Sequence, residues 1–366
     1  MRIAIDAHSL GTNSGGNEVY IRNLIGALSE IDRENEYVIY ANPDAALDLP
    51  PNYKIMKIKT RNRWLRPLFL KSLVLKNSPD IYHSQHFLPP LLGCPSVVTI
   101  HDISFLAHPE WFTGREKFIF KFFNNSIKKA KKIITVSAFS KNELLKLEYF
   151  NTRKDKIHAI YCGVSGIFNP NIPGSIIYKV KLKYSLPDNY ILYVGRFNVR
   201  KNIPALVRAF SFFKRQDKTG FKLVLVGRRD WKSENLTELV HKLGLSDEVK
   251  FVDYLPYTDL PALYNAARLF VFPSFYEGFG LPPLEAMACG IPVITSHTSA
   301  FPEVLADAAM KIDPYDTKKI AEAMEKLLSD NALREKMIFK GLEQARKFNW
   351  INTAQKTLEV YKEALL

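Results

Sequence analysis

The fold of this chain is most strongly constrained by an alternation of short apolar runs with longer amphipathic segments. The apolar runs have the length of buried strands, and the segments between them show helical periodicity, most clearly from Asn17 to Glu30. This order is typical of repeated βαβ units, whose parallel strands are covered by helices. In the first half, strands are predicted at Ile3–Asp6, Tyr37–Ala41, Ile55–Ile58, Ile81–His83, Val97–His101, Ile133–Val136 and His158–Ile160.

The pattern then restarts, with Tyr190–Val194 as a new first strand. Further strands are predicted at Leu223–Val226, Lys250–Val252, Leu269–Phe272, Pro292–Thr295 and Ala309–Ile312. We therefore predict an α/β fold of two Rossmann-like domains, whose parallel sheets face a central cleft. The predicted divisions are a first domain over 1–168, a linker over 169–186, a second domain over 187–345, and a last helix over 346–366 that packs back on the first domain.

The cysteines and the N-terminus indicate the compartment. Cys94, Cys162 and Cys289 share no metal-binding spacing and are odd in number, which favours free thiols in a reducing environment. The N-terminal sequence predicts a buried strand instead of a secretory signal, and no apolar run is long enough to span a membrane. We expect a cytoplasmic protein, peripheral on the inner face of the cell membrane.

Two runs concentrate positive charge in the first half of a chain whose net charge is +14. The run from Lys54 to Lys76 holds eight cations and no acid, with aromatic and aliphatic residues interleaved, and a second run extends from Arg115 to Lys132. This mixture suits an anionic lipid surface or nucleic acid, although a solvated surface explains it equally simply. No RNA-binding motif accompanies these runs, so we expect an anionic membrane surface as partner and no nucleic acid.

Two candidate sites follow strands of the first domain. The loop after the first strand ends in Gly15-Gly16 and opens a helix, where bare backbone N–H groups bind phosphate or carboxylate, or simply form a tight turn. His101 and Asp102 follow a buried strand. An imidazole at that position would hydrogen-bond a sugar hydroxyl or assist a reacting group, or serve a structural role.

In the second domain, two cations stand at the entrance of the first helix. Arg196 and Lys201 follow the strand Tyr190–Val194, with Gly195 allowing close approach of a ligand to the backbone. A diphosphate group would be bound well by this arrangement, which is also compatible with a solvated basic turn.

The segment PSFYEGFGLPPLE, residues 273–285, is the most informative of the chain. Its prolines start a helix, and its glycines expose N–H groups at the positive end of that helix. Glu277 on the loop and Glu285 on the helix are eight positions apart, so both carboxylates are predicted to face one ligand. Carboxylates bind vicinal hydroxyl groups such as those of sugars and ribose.

With these residues the sequence resembles glycosyltransferase family 4, the retaining nucleotide-sugar enzymes of GT-B fold. The resemblance is carried by Glu277 and Glu285, which match the family's E-x7-E pair, and by YVGR with Lys201. The glycine pair of the first loop, the His101-Asp102 pair and the run AKKIITVSAFSKNEL at 130–144 add to it. It spans most of residues 1–345.

The resemblance implies a role for each candidate residue. The first domain would bind the acceptor and the second the nucleotide sugar, which is a substrate, so no cofactor or metal is expected. Arg196 and Lys201 would hold the diphosphate, Glu285 the ribose, and Glu277 the donor sugar. Additional donor contacts are implied for Gly16, Gly278, Phe279 and Gly280. The residues expected to act in catalysis are His101, Glu277, Arg196 and Lys201.

The pattern HDISF…HPEWF, which begins at His101, is most similar to family members that transfer mannose from GDP-mannose to lipid-linked or polysaccharide acceptors. Asp253 departs from the glycine that the family usually has there, which leaves UDP-sugar donors of glucosyl, galactosyl or N-acetylglucosaminyl groups open. A nicotinamide-dependent dehydrogenase is the alternative enzyme class, although the first loop lacks the GxGxxG spacing. A non-catalytic sugar-nucleotide binder is the remaining alternative.

Overall fold

The computed structural model describes residues 1–12, 15–58, 66–147, 153–215, 219–228, 235–253 and 255–366. The chain divides into two compact units, which we describe separately. Unit 1 contains Met1–Gly163 and Asn349–Leu366, and unit 2 contains Val164–Phe348. The residues of the predicted linker 169–186 belong to unit 2.

Unit 1 is built on a parallel sheet with seven strands in the described residues. Its strands are β1 (Arg2–Ala7), β2 (Glu36–Ala41), β3 (Tyr53–Lys57), β4 (Ile81–Gln85), β5 (Ser96–Ile100), β6 (Lys132–Thr135) and β7 (Ile157–Ala159). They lie in the order β3-β2-β1-β4-β5-β6-β7. The helices of the first 163 residues are α1 (Gly16–Ile31), α2 (Arg66–Asn77), α3 (Ser104–Ala107), α4 (Gly114–Lys129) and α5 (Ala138–Lys146).

Unit 2 repeats this architecture with six parallel strands in its described part. The strands are β8 (Tyr190–Val194), β9 (Lys222–Val226), β10 (Val249–Val252), β11 (Leu269–Phe272), β12 (Val293–Ser296) and β13 (Met310–Ile312), in the order β10-β9-β8-β11-β12-β13. The helices are α6 (Gly174–Lys183), α7 (Ile203–Lys214), α8 (Leu236–Lys242), α9 (Leu260–Ala266), α10 (Leu281–Ala288), α11 (Phe301–Leu305), α12 (Thr317–Ser329) and α13 (Asn331–Ala345). The predicted α/β fold with two Rossmann-like parallel sheets is confirmed, and each predicted strand is present within a few residues of its predicted position.

The inner strands of each sheet are buried on both faces, which explains their continuous apolar sequences, whereas the edge strands β3, β7, β10 and β13 are only partly buried. On one face of the unit 1 sheet, Ala4 and Tyr82 lie in register and pack against Val74 of α2. On the same face, Val98 and Ile133 are paired and pack with residues of α4. Helices α2 and α4 therefore cover the same side of the sheet.

The opposite face of this sheet is covered by α1 together with the last helix of the chain, α14 (Trp350–Leu365). The Tyr361 hydroxyl of α14 lies 2.6 Å from Nδ1 of the buried His83, and the Thr353 hydroxyl donates to the carbonyl of Tyr161 at 2.7 Å. An ion pair of 2.8 Å joins Lys132 to Glu363. These contacts bind the end of the chain to unit 1.

In the described parts of the chain, each helix is too short or too polar to cross a membrane.

The start of α14 packs closely against the backbone at Gly163. A Cβ atom on Gly163 would lie 2.2 Å from the backbone nitrogen of Trp350, and a backbone atom cannot move aside as a flexible side chain can. We expect Gly163→Ala to lower the free energy of unfolding by about 3 kcal/mol, as overpacking does. Thermal unfolding would measure this, with Gly166→Ala as the control because a Cβ there has open space around it. Equal stability of the two variants would contradict the packing described.

Candidate active site

In unit 2, a buried ion pair joins the loops that follow two neighbouring strands. Lys201 ends a short 3-10 turn after β8, and its Nζ contacts Oε1 of Glu277 on the loop after β11. Arg200 lies on the other side of the same carboxylate, with 3.6 Å between a guanidinium nitrogen and Oε2. Lys201 is only 8% exposed and Glu277 only 7%, so water screens this interaction weakly. The site thus holds two cations around one carboxylate.

Asn202 fixes the geometry of these loops. It adopts a left-handed backbone conformation (φ 54°), which asparagine tolerates better than most residues. Its buried side-chain amide donates to the carbonyls of Pro273, at 3.2 Å, and Pro314, at 2.6 Å. The N–H of Phe275 donates to the carbonyl of Arg200 at 2.8 Å. The loops after β8, β11 and β13 are therefore joined into one rigid edge.

The loop after β11 is also held from its other side. The N–H of Glu277 donates to the hydroxyl of Ser299 at 3.0 Å. Gly280 precedes α10 with a φ of 100°, and a Cβ there would meet the Phe301 ring at 2.8 Å. The side chain of Phe279 packs on Phe348, so this residue offers a ligand its backbone.

Glu285 lies in a different environment from Glu277. It is 5% exposed, and the Tyr264 hydroxyl donates to its Oε2 at 3.1 Å. Burial raises the pKa of Glu285 from 4.5 to about 7, and hydrogen bonds from Tyr264 and Tyr257 oppose the shift in part. Within the described residues, no hydrogen bond or ion pair joins Glu285 to Glu277. The carboxylate thus has a buried position and is only partly ionised near neutral pH.

Arg196 is exposed at the end of β8. The arginine that lies with Lys201 beside Glu277 is Arg200, to which the sequence analysis gave no role. The signal for it was adjacency to Lys201 in the run RKN, since both residues belong to the short turn Val199–Lys201. Tyr264, Ser299 and Asn202 were also missed, because their contacts cross many residues of sequence.

In unit 1, His101 lies beyond β5 among polar and aromatic side chains. Its Nε2 is 2.7 Å from Oε1 of Gln85, at the end of the adjacent strand β4. The Tyr20 ring meets the imidazole edge-on at 4.7 Å, and the His86 ring lies 5.3 Å away. Burial, together with neighbouring His86, lowers the pKa of His101 to about 3, so the ring is neutral at physiological pH.

His86 and the first loop complete this edge of the sheet. His86 has a φ of 59°, an uncommon conformation that is often found at functional sites. Helix α1 begins at Gly16, where a Cβ would meet open space. The Glu18 carboxylate accepts from the N–H of Gly11 at 3.0 Å and ties the loop to the helix. Asn13 and Ser14 lie outside the described residues. The sequence analysis missed His86 and Gln85, although the polar run at 83–86 beyond an apolar strand was a usable signal.

In the described part of the chain, no group of three or more His, Cys, Asp or Glu side chains is arranged to hold a metal ion.

The two parallel-sheet α/β units have the GT-B fold of glycosyltransferases. Residues 177–344 match the family described as Glycosyl transferases group 1, and residues 14–165 match Glycosyltransferase Family 4. The chain belongs to glycosyltransferase family 4. The family shown is therefore one of glycosyltransferases, whereas a nicotinamide dehydrogenase was the alternative considered from the sequence.

The chain is similar to proteins of bacterial O-antigen assembly. It is 38% identical over 284 residues to O-antigen chain mannosyltransferase B of Escherichia coli, a match that covers 77% of this chain and 74% of that protein. It is 32% identical over 262 residues to O-antigen chain mannosyltransferase RfbU of Salmonella typhimurium, covering 71% and 68%. The fold is shared with a sucrose-phosphate synthase from Thermosynechococcus elongatus, with a TM-score of 0.80, 22% identity, and coverage of 99% and 98%.

The raised pKa of Glu285 has a consequence for stability. A carboxyl whose pKa is higher in the folded protein than in the unfolded chain loses stabilising free energy as pH rises from 4.5 through about 7. Glutamine cannot ionise, so Glu285→Gln should be more stable than the parent at pH 8, by about 3 kcal/mol, and equally stable at pH 4.

Unfolding at both pH values would measure this difference. Glu335→Gln, which replaces an exposed carboxylate of unit 2, is the matched control. An unchanged difference between the parent and Glu285→Gln at pH 4 and pH 8 would contradict the buried position of this carboxyl.

Proposed function

We propose that this glycosyltransferase transfers mannose from GDP-mannose to a lipid-linked or polysaccharide acceptor, with retention of anomeric configuration and without a metal. The main support is the buried pair of Lys201 and Glu277, with the partly exposed Arg200 beside it, at the carboxyl edge of the unit 2 sheet. This group lies where β8 and β11 are neighbours and the strand order reverses, which is where open α/β sheets bind ligands.

In the proposed reaction, the departing nucleoside diphosphate develops negative charge on its oxygens. Lys201 and Arg200, with Arg196 nearer the solvent, supply cations that are already held in place by the loop contacts. Preorganised positive charge in a weakly screened site stabilises such a leaving group without a metal ion. Glu277 balances this charge in the unliganded protein, and the diphosphate would take over that balance.

The other donor contacts are proposed separately for each unit. Glu285 would bind the ribose hydroxyls through its ionised form, and Glu277 would contact the donor sugar. The N–H groups of Gly278, Phe279 and Gly280 at the start of α10 would reach sugar or phosphate. In unit 1, we assign His101 to the transferred sugar and Gly16 to the phosphate or the acceptor side.

Mannose as the transferred sugar is supported by the named activity of the similar O-antigen proteins. A saccharide acceptor carried on a lipid or a growing polysaccharide is supported in the same way. Retention is supported by membership of a family whose members retain configuration. A UDP-sugar donor with the same chemistry is the alternative.

A donor screen tests this proposal. Calorimetry with GDP-mannose, UDP-glucose and ADP-glucose should give tight binding for the GDP sugar alone, unchanged by a chelator. Lys201→Met should weaken GDP binding and transfer at least 100-fold, the range for loss of one preorganised charge. Lys319→Met, on the exposed surface of α12, should change neither. Preference for UDP-glucose would overturn the proposal of GDP-mannose as the donor. Normal transfer by Lys201→Met would overturn the assignment of the diphosphate site to Lys201.

We further propose that one surface of unit 1 docks on anionic membrane. Helices α2 and α4 cover the same face of the sheet, and each exposes large apolar side chains to solvent. The exposed apolar residues are Leu68, Phe69 and Leu75 on α2, and Phe118 and Phe122 on α4. Exposed lysines flank them at Lys76, Lys117, Lys128 and Lys129. Apolar side chains among cations favour insertion at the headgroup level of an anionic bilayer.

Part of the basic run from Lys54 to Lys76 is not used in support of this docking surface. Lys59, Arg61, Arg63, Trp64 and Leu65 lie outside the described residues.

Co-sedimentation with vesicles tests the docking surface. The protein should pellet with anionic vesicles and remain in solution with neutral ones, and high salt should release it. Replacing both Phe118 and Phe122 by serine should reduce binding to anionic vesicles about tenfold or more, because the two aromatic rings that would insert into the bilayer are lost. Phe339→Ser, at an exposed phenylalanine of unit 2, is the control. Equal recovery with both vesicle types would refute docking.

A further inference from the structure

The hydrogen bond between His101 and Gln85 determines which imidazole nitrogen carries the proton. Gln85 is paired with Thr99 in the sheet, and His101 follows Thr99 by two residues, so the side chains of Gln85 and His101 lie on the same side. Their contact joins the amide oxygen of Gln85 to Nε2 of His101 at 2.7 Å. An amide oxygen only accepts hydrogen bonds, so Nε2 must donate.

The orientation of the Gln85 amide follows from its second contact. Its nitrogen donates to the Ser9 hydroxyl at 3.3 Å, and that hydroxyl donates to the carbonyl of Asn17 at 3.4 Å. The carbonyl can only accept, so the Ser9 hydroxyl donates in that contact, and its oxygen accepts from the Gln85 amide nitrogen. The relay thus runs in one direction, from the imidazole to the backbone of α1.

The surroundings of the ring keep it neutral and in place. Burial and the neighbouring His86 and His83 disfavour an imidazolium, and Asp102 opposes them only in part. The edge-on contact with Tyr20 restricts rotation of the ring. Within the described residues, Nδ1 of His101 makes no hydrogen bond. A neutral ring that donates through Nε2 therefore presents an unprotonated Nδ1.

We propose that Gln85 is a positioning residue that holds His101 as the Nε2–H tautomer, so that Nδ1 accepts a hydrogen bond from a hydroxyl group of the substrate. The identity of that hydroxyl, as one of the transferred sugar, rests on the proposed function, whereas the tautomer does not. A group that can only accept hydrogen bonds, such as a phosphate oxygen, would find no partner at Nδ1. His101 would thereby select a hydroxyl group at its position over an anionic oxygen.

Nitrogen-15 NMR of histidine-labelled protein tests the tautomer directly. The His101 signals would be assigned by their loss in His101→Asn, and the parent should show a single Nε2–H form. Gln85→Leu removes the acceptor and should give a mixture of both tautomers, while the His83 signals stay unchanged as a check of folding. Gln344→Leu, at a buried glutamine of unit 2, should leave His101 unaffected. An Nδ1–H form in the parent would overturn the proposal.

Kinetics then separates positioning from a structural role. Gln85→Leu should lower kcat about tenfold and leave the KM for donor within twofold, and Gln85→Glu, whose carboxylate also accepts from Nε2–H, should recover most of kcat at pH 8. Unchanged kcat in Gln85→Leu would overturn the role in the reaction. If the parent does not transfer from GDP-mannose, the donor proposed above is wrong. The NMR experiment would still decide the tautomer of His101, because it requires no donor.

Discussion

Parallel strand pairing is the constraint on which the rest of this structure depends. In the described residues every strand pair of both sheets is parallel, so the carboxyl ends of neighbouring strands meet at one edge. This places Lys201 beside Glu277, 76 residues away in the chain, and His101 beside Gln85. The inner strands that lead to these residues, β4, β5, β8 and β11, are held in place by burial of their apolar side chains as well as by the sheet hydrogen bonds. The apolar residues of these strands thus form the core, and the candidate site residues lie at or just beyond the carboxyl ends of the strands.

Charge compensation is the second requirement of the unit 2 site. A buried ammonium without a partner is costly, and Glu277 offsets that cost for Lys201, with Arg200 beside the same carboxylate. The position of the pair is set by neutral contacts, chiefly those of Asn202 to two backbone carbonyls. Glu285 is buried against Tyr264, which donates a hydrogen bond to it, and this burial raises the pKa of its carboxyl. The two carboxylates of this site thus lie in different surroundings, one beside two cations and the other buried against a tyrosine.

Most of the fold could be predicted from sequence, because strand length, apolar character and helical period are local properties. The loops carrying Lys201, Glu277 and His101 were found in the same way, as polar segments after apolar strands. The side chains that contact these residues could not be predicted from the sequence. Glu277 and Glu285 were predicted to face one ligand, and the sequence indicated no protein contact for either. In the structure Glu277 contacts Lys201 and Arg200, and Glu285 contacts Tyr264. Which arginine lies beside Glu277 depends on a turn of three residues, and composition does not specify such a turn.

The sequence by itself therefore determined the α/β class, the two sheets, the strand ends that carry polar residues and the family to which the chain belongs. The class and the strands follow from patterns at the scale of a strand and its helix, and the family follows from short motifs spread over residues 1–345. Only the tertiary structure decided the protonation of Glu285, the neutral state of His101 and its contact with Gln85. Those properties depend on burial and on hydrogen-bond partners from other strands, and both exist only once distant segments have packed together.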